Sequence, residues 1–112
     1  MTMNEYQELA LRTANPELTD MGKIQNGVMG LCGESGECVD IVKKTLFQGH
    51  DLDREGLVDE LSDVLWYAAQ LASGLGVGLD EVAQHNVDKL RKRYPDGFSA
   101  EKSIHREEYA NA

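Results

Sequence analysis

The stretch from residue 21 to residue 47 constrains the fold more than any other part of the sequence, because it contains no proline and follows a helical pattern throughout. Its apolar residues recur at the three- and four-residue intervals of one helix face. They are Ile24, Val28, Leu31, Cys38, Val39, Val42 and Leu46. No segment of the chain alternates as a β-strand does. The sequence therefore predicts an all-α fold, an antiparallel bundle of about four main helices joined by short loops.

The remaining helices follow from the same periodicity and from their end signals. Besides the helix at about residues 21–47, main helices are predicted at about residues 4–14, 53–73 and 79–94. Pro16 ends the first, because the residue before a proline avoids the helical region. Thr19 or Asp20 is expected to cap the second, and Ser99 to begin a short last helix. Trp66 falls opposite the apolar face of the third helix, so we expect it to face solvent or another subunit.

Two pairs of carboxylates lie at matching positions on the second and third predicted helices. Glu34 and Glu37 are three residues apart, as are Glu60 and Asp63, and residues at this spacing share one helix face. Carboxylates that meet between two packed helices repel one another unless a cation lies among them. Mg²⁺ takes oxygen ligands and commonly joins carboxylates to substrate phosphates. The pattern predicts a divalent-metal site; the alternative is that all four are solvated surface acids.

Gly27 and Gly30 precede Glu34 by about two turns and one turn of the same helix. A glycine inside a helix costs about 1 kcal/mol relative to alanine, so each glycine needs a compensating role. Close packing against a neighbouring helix is one explanation. Space for a ligand above the carboxylates is the other, and the two are compatible.

The fourth predicted helix carries Asn86, Lys89 and Arg93 on one side. Cations and an amide donor are suited to a polyphosphate whose other oxygens are covered by metal. Asn86 falls within the apolar face, where a polar residue is costly unless it is hydrogen-bonded. We therefore expect these three residues to bind phosphate.

A competing metal pattern occurs in the loop before the third helix. Asp51, Asp53, Glu55 and Gly56 fall at positions one, three, five and six of an EF-hand calcium loop, and Asp59 falls at position nine. The twelfth position of that loop should be a bidentate glutamate, but here it is Ser62. This mismatch argues against a calcium-binding protein.

Composition limits the classes of partner and the location. The chain has 112 residues, which suits one domain over residues 1–112, with a polar, frayed tail from about residue 99. Its net charge is -9, with 20 acidic against 11 basic residues, so neither nucleic acid nor an anionic membrane surface is an expected partner. The first residues lack a signal-peptide pattern. With two cysteines in no disulfide framework, a cytoplasmic location is expected.

Three segments together resemble a known family. They are Gly30–Glu37, Asp59–Tyr67 and Asn86–Phe98. They look like the MazG-type all-α nucleoside triphosphate pyrophosphohydrolases, whose motif is ExxE, a variable spacer and ExxD. The spacer from Glu37 to Glu60 has 22 intervening residues, and the resemblance extends from about Tyr6 to Phe98.

The resemblance implies an enzyme that hydrolyses a nucleoside triphosphate to the monophosphate and pyrophosphate with Mg²⁺, or Mn²⁺ as a substitute. Carried over residue by residue, the metal ligands would be Glu34, Glu37, Glu60 and Asp63. Asn86, Lys89 and Arg93 would bind the phosphates. For the catalytic proton acceptor we select Glu34, as a carboxylate not fully used as a ligand.

The resemblance also implies a homodimer or homotetramer, with the bundle completed by oligomerisation. Base recognition in the family draws on variable residues near the first helix; Tyr6, Gln7, Thr13 and Asn26 are the candidates here. The rival function is a non-catalytic helical module that senses nucleotide or metal, or interacts with another protein. A degenerate binding module would be expected to have lost at least one of the four acids, whereas this chain keeps all of them.

Overall fold

The computed structural model describes residues 1–106, and these residues form helices joined by short connections. The helices are α1 (Met3–Ala10), α2 (Asp20–Phe47), α3 (Arg54–Gly74), α4 (Leu79–Arg93) and α5 (Ala100–Ile104), with a 3₁₀ turn at Leu11–Thr13. None of the described residues forms a strand, so the all-α prediction is confirmed over this range. None of the described helices has the length and apolar character needed to span a membrane.

The start of α2 is set by Thr19. Its hydroxyl accepts a hydrogen bond from the backbone N–H of Gly22 at 3.0 Å, which satisfies one of the amide groups left unpaired at a helix start. Ser99 begins α5 in the same way, since its hydroxyl accepts from the N–H of Lys102. The polar residues that were expected at the starts of these two helices, Thr19 and Ser99, are therefore the residues that cap them.

Trp66 corrects two expectations about the first helix and its surroundings. The indole N–H donates to the carbonyl of Ala10 at 3.0 Å and to the hydroxyl of Thr13 at 3.1 Å. The expectation that Trp66 faces solvent or another subunit is therefore wrong. The α-helix also ends at Ala10 rather than near Ala14, and the chain tightens into a 3₁₀ turn, which presents these two oxygens to the indole.

The α2 and α3 helices pack antiparallel and very closely. A Cβ atom added at Gly27 would lie 2.8 Å from the Cβ of Leu71, and one added at Gly74 would lie 2.9 Å from the backbone oxygen of Asp20. At Gly30 an added Cβ would overlap the ring of Tyr67. Close packing is therefore the role that the structure gives to Gly27 and Gly30.

The contacts divide the chain into two compact units, Met1–Leu79 and a second that begins at Asp80. In the first unit, the buried core consists of Ala69, Ala72 and Leu79. Tyr6, Leu11, Ala68 and Val77 pack against it. The helix α1 is thereby held against the end of α3.

Gln7 ties α1 to the connection between α3 and α4. Its amide oxygen accepts from the N–H of Leu79 at 2.8 Å, and its amide nitrogen donates to the carbonyl of Val77 at 3.2 Å. The α4 helix begins after Gly78, which has no side chain to cap it. Gln7 supplies that cap from a helix more than seventy residues earlier in the chain.

The second unit contains the rest of α4 and α5. Beyond α4, the rings of Tyr94 and Phe98 lie 5.6 Å apart, and the guanidinium of Arg93 lies 5.9 Å from the ring centre of Tyr94. Of the polar tail expected to fray, the described part includes α5, so that part is helical as far as Ile104. Residues 107–112 of that prediction lie outside the described residues.

Candidate metal centre

Three carboxylates from α2 and α3 meet beside the close contact between these helices. One oxygen each from Glu34, Glu60 and Asp63 can be chosen so that all three lie within 4.8 Å of one another. Glu34 and Glu60 are half-buried, and Asp63 is exposed. Oxygen atoms at this separation can surround one hard divalent cation.

The pKa of Glu60 reflects how close these carboxylates lie to one another. The pKa of Glu60 is raised above its ordinary value of 4.5, first by a hydrogen bond shared with the Glu34 carboxyl and then by burial. The negative charges of Glu34, Asp59 and Asp63 raise this pKa further. A cation among these oxygens would offset the repulsion that favours the protonated form of Glu60. The donor set therefore fits a divalent metal ion.

The fourth predicted ligand, Glu37, is exposed and is not one of the three residues whose oxygens converge. On a helix, three residues correspond to a rotation of about 300°, so Glu37 lies about 60° around the axis from Glu34. Lys44, also on α2, forms an ion pair with Asp40 at 3.0 Å. Lys43 also pairs with Asp40 at 3.1 Å, and together they hold the pKa of Asp40 below its ordinary value.

An aromatic pair lies next to the three acids on α3. Tyr67 follows Asp63 by one helical turn, and its ring packs on the backbone of Gly30. Trp66 contacts that ring edge-on, with the ring centres 5.1 Å apart and an angle of 84° between the planes. No local pattern in the sequence indicated that Trp66 would pack against Tyr67.

The four candidates for base recognition mostly have structural partners. Gln7 and Thr13 make the backbone and indole hydrogen bonds described above. The side-chain oxygen of Asn26 accepts a hydrogen bond from Gln70 at 3.4 Å. The pKa of Tyr6 is raised by burial and by the charge of Asp63, which places Tyr6 within electrostatic reach of the acids.

The predicted phosphate-binding residues all lie on α4, in the second unit. Asn86 and Lys89 are exposed, and Arg93 is half-buried at the end of the helix. Asn86 is thus not a buried polar residue, although the periodicity placed it on the apolar face. The exposure of Asn86 and Lys89 leaves both side chains accessible to a polar ligand.

Comparison with known proteins connects these features. The model of the MazG nucleotide pyrophosphohydrolase domain matches residues 23–98. The chain belongs to the MazG nucleotide pyrophosphohydrolase domain family. It is also similar to the gene 37 protein of Mycobacterium phage L5, with 45% identity over 105 residues that cover 87% of this chain and 92% of the phage protein. No solved structure matches the chain.

The MazG match includes all seven predicted site residues, from Glu34 to Arg93, and excludes α1. The resemblance identified from the sequence is therefore confirmed at the level of the family. One element outside the match is α1, whose Tyr6 and Gln7 pack against or hydrogen-bond to residues of the matched range.

Proposed function

We propose that this protein hydrolyses nucleoside triphosphates to nucleoside monophosphate and pyrophosphate in a reaction that depends on Mg²⁺, with Mn²⁺ as a substitute. The observation that carries the proposal is the convergence of the Glu34, Glu60 and Asp63 carboxylates within 4.8 Å in a chain that belongs to the MazG family. Clearance of non-standard or excess nucleotides in the cytoplasm is the role that we infer.

The acidic residues bind the metal in this proposal, and Glu34 also takes part in the proton transfer. Glu34, Glu60 and Asp63 hold the metal, and Glu37 completes the set directly or through a water molecule. When bound, Mg²⁺ supplies charge neutralisation for the phosphates and lowers the pKa of water. The reaction adds water to a phosphorus of the α–β anhydride and breaks the bridging P–O bond. Glu34 accepts the proton of the attacking water.

Asn86, Lys89 and Arg93 are proposed to bind the phosphates of the substrate. An amide and two cations supply N–H donors for phosphate oxygens that the metal does not cover. The last turn of α4 contains Arg91, Lys92 and Arg93. The positive charge of this segment makes it suitable for binding a triphosphate.

We also propose that the protein acts as a homodimer or homotetramer. Several large apolar side chains of α2 are exposed, including Val39 at 65%, Leu46 at 68% and Phe47 at 79%. Exposed apolar surface of this kind favours association. Sedimentation of the purified chain at several concentrations would test this part of the proposal.

The decisive experiment is a panel of nucleoside triphosphates incubated with the protein and Mg²⁺, with identification of both products. Pyrophosphate and the monophosphate are expected. Release of orthophosphate, or no turnover of any nucleotide, would overturn the proposal. Asp63→Ala should abolish turnover while circular dichroism shows the helix content of the wild type. Activity retained by that variant would exclude the proposed metal site. Nucleotide binding without turnover by the wild-type protein would instead favour the non-catalytic module.

A further inference from the structure

The contact between Gly30 and Tyr67 sets the distance between α2 and α3 next to the three acids. A Cβ atom at position 30 would overlap the Cδ1, Cε1 and Cγ atoms of the Tyr67 ring. The ring therefore rests directly on the backbone of α2, and its thickness determines how closely the two helices approach. Leu71 makes the equivalent contact with Gly27 one turn farther from the acids.

Trp66 restricts the movement of that ring. The indole packs edge-on against Tyr67 with 5.1 Å between the ring centres. Its N–H is fixed by the carbonyl of Ala10 and the hydroxyl of Thr13. The Tyr67 ring is thus held on one side by the α2 backbone and on another by an indole that is anchored to the N-terminal turn.

The acids lie one helical turn beyond this contact on both helices. Glu34 follows Gly30 by four residues and Asp63 precedes Tyr67 by four, which is an axial displacement of about 6 Å on each helix. Rigid helices that separate at Gly30 and Tyr67 must also separate at Glu34 and Asp63. The separation of the carboxylate oxygens is therefore linked to the thickness of the aromatic contact.

We infer that Gly30, Tyr67 and Trp66 are positioning residues that set the opening of the acid cluster and thereby its preference for a small cation. This inference rests on the proposed function, because it assumes that Glu34, Glu60 and Asp63 bind a divalent metal. Mg²⁺ binds oxygen at about 2.0–2.1 Å in strict octahedral geometry, whereas Ca²⁺ accepts about 2.3–2.6 Å and variable geometry. A wider opening should weaken Mg²⁺ binding much more than Ca²⁺ binding.

Gly30→Ala tests the inference, with Gly36→Ala as the matched control. The added methyl group at position 30 must displace Tyr67, whereas a Cβ at position 36 meets no atom within 4 Å. Both glycines lie inside α2, so both substitutions give the same gain in helix propensity. Binding is measured without nucleotide, by electron paramagnetic resonance of Mn²⁺ that is displaced with Mg²⁺ or Ca²⁺.

Gly30→Ala is expected to shift the ratio of Ca²⁺ to Mg²⁺ affinity toward Ca²⁺ by about tenfold, and Gly36→Ala to leave it unchanged. Trp66→Phe keeps a ring but removes the indole N–H, so a smaller shift in the same direction is expected. That variant decides the question if Gly30→Ala fails to fold by circular dichroism. The inference would be overturned if the affinity ratio stayed at the wild-type value in both Gly30→Ala and Trp66→Phe. It would also be overturned if the ratio shifted equally in Gly30→Ala and Gly36→Ala. Either result would leave the proposed function intact. A wild-type protein that binds no Mn²⁺ would overturn both.

Discussion

Replacing Gly27 by alanine is expected to destabilise the α2–α3 pair, because the added methyl group has no space. Its Cβ would lie 2.8 Å from the Cβ of Leu71 and 2.9 Å from the Cα and N of the same residue. Two of these three atoms belong to the backbone, so a change of rotamer cannot relieve the overlap. Overpacking costs about 1–3 kcal/mol. We expect the upper end of that range here, because the backbone of Leu71 cannot move aside as a side chain can. The gain in helix propensity offsets about 1 kcal/mol, which leaves a net loss of about 2 kcal/mol.

The control for this prediction is Gly36→Ala in the same helix. An added Cβ there meets no atom within 4 Å, so only the gain of about 0.5–1 kcal/mol for a helix-interior glycine remains. The two variants should therefore differ by about 3 kcal/mol in free energy of unfolding. Urea unfolding followed by far-ultraviolet circular dichroism measures this difference. All variants are compared at one chain concentration, because association would shift the midpoints.

Two results would refute the reasoning about Gly27. If Gly27→Ala unfolds at the same urea concentration as the wild type or higher, the helices can move apart at this point without loss. Close packing would then not explain the glycine. A loss of stability in Gly36→Ala would refute the reasoning in a different way, by showing that its Cβ position is not open.

Four further predictions concern single side chains. Glu60→Gln should stabilise the metal-free protein by removing a repelled charge and should abolish the rise in melting temperature on adding Mg²⁺; an unchanged rise would exclude Glu60 as a ligand. Lys89→Ala should raise KM for the nucleotide, and unaltered KM and kcat would remove Lys89 from phosphate binding. Lys44 and Lys43 lower the pKa of Asp40 in the folded protein. The Asp40 carboxylate should therefore stabilise the fold above pH 3.8, its pKa in the unfolded chain. This stabilisation should be lost as the pH falls through the lower pKa of the folded protein. The difference between wild type and Asp40→Asn in denaturation at several pH values should therefore vanish in acid and not in neutral solution. Gln7→Leu should lose about 1–2 kcal/mol as the cap of α4 disappears, while a midpoint of urea unfolding like that of the wild type would show that Leu79 finds another partner.

Local signals in the sequence predicted the helices because these signals act over a few residues. Thr19 and Ser99 were recognisable as caps, and both accept the backbone hydrogen bond that a cap requires. The end of α1 was predicted four residues too late, since the 3₁₀ turn is stabilised by Trp66, a partner 53 residues from Thr13. A contact between residues so far apart in the chain does not alter the local pattern of apolar residues from which the helix end was predicted.

The candidate site was predictable to the extent that it depends on helix geometry. The spacing of Glu60 and Asp63 placed both on one face, and the structure brings them together with Glu34. The same spacing gave Glu37 equal weight, but helical periodicity alone does not tell which member of a pair points toward the neighbouring helix. That choice depends on the rotation of α2 about its axis, which the contact of Gly30 with Tyr67 sets.

The hydrogen bonds of Gln7 have a consequence for the order in which the chain acquires its structure during synthesis. The N–H of Leu79 lies 72 residues after Gln7, so α1 leaves the ribosome long before the group that it caps. Until then α1 lacks some of its contacts. The first turn of α4 also lacks its cap, because Gly78 has no side chain that could accept the hydrogen bond. Docking of the N-terminal helix and initiation of α4 should therefore occur as one late step, and a ribosome-bound chain arrested before Leu79 should leave α1 open to protease.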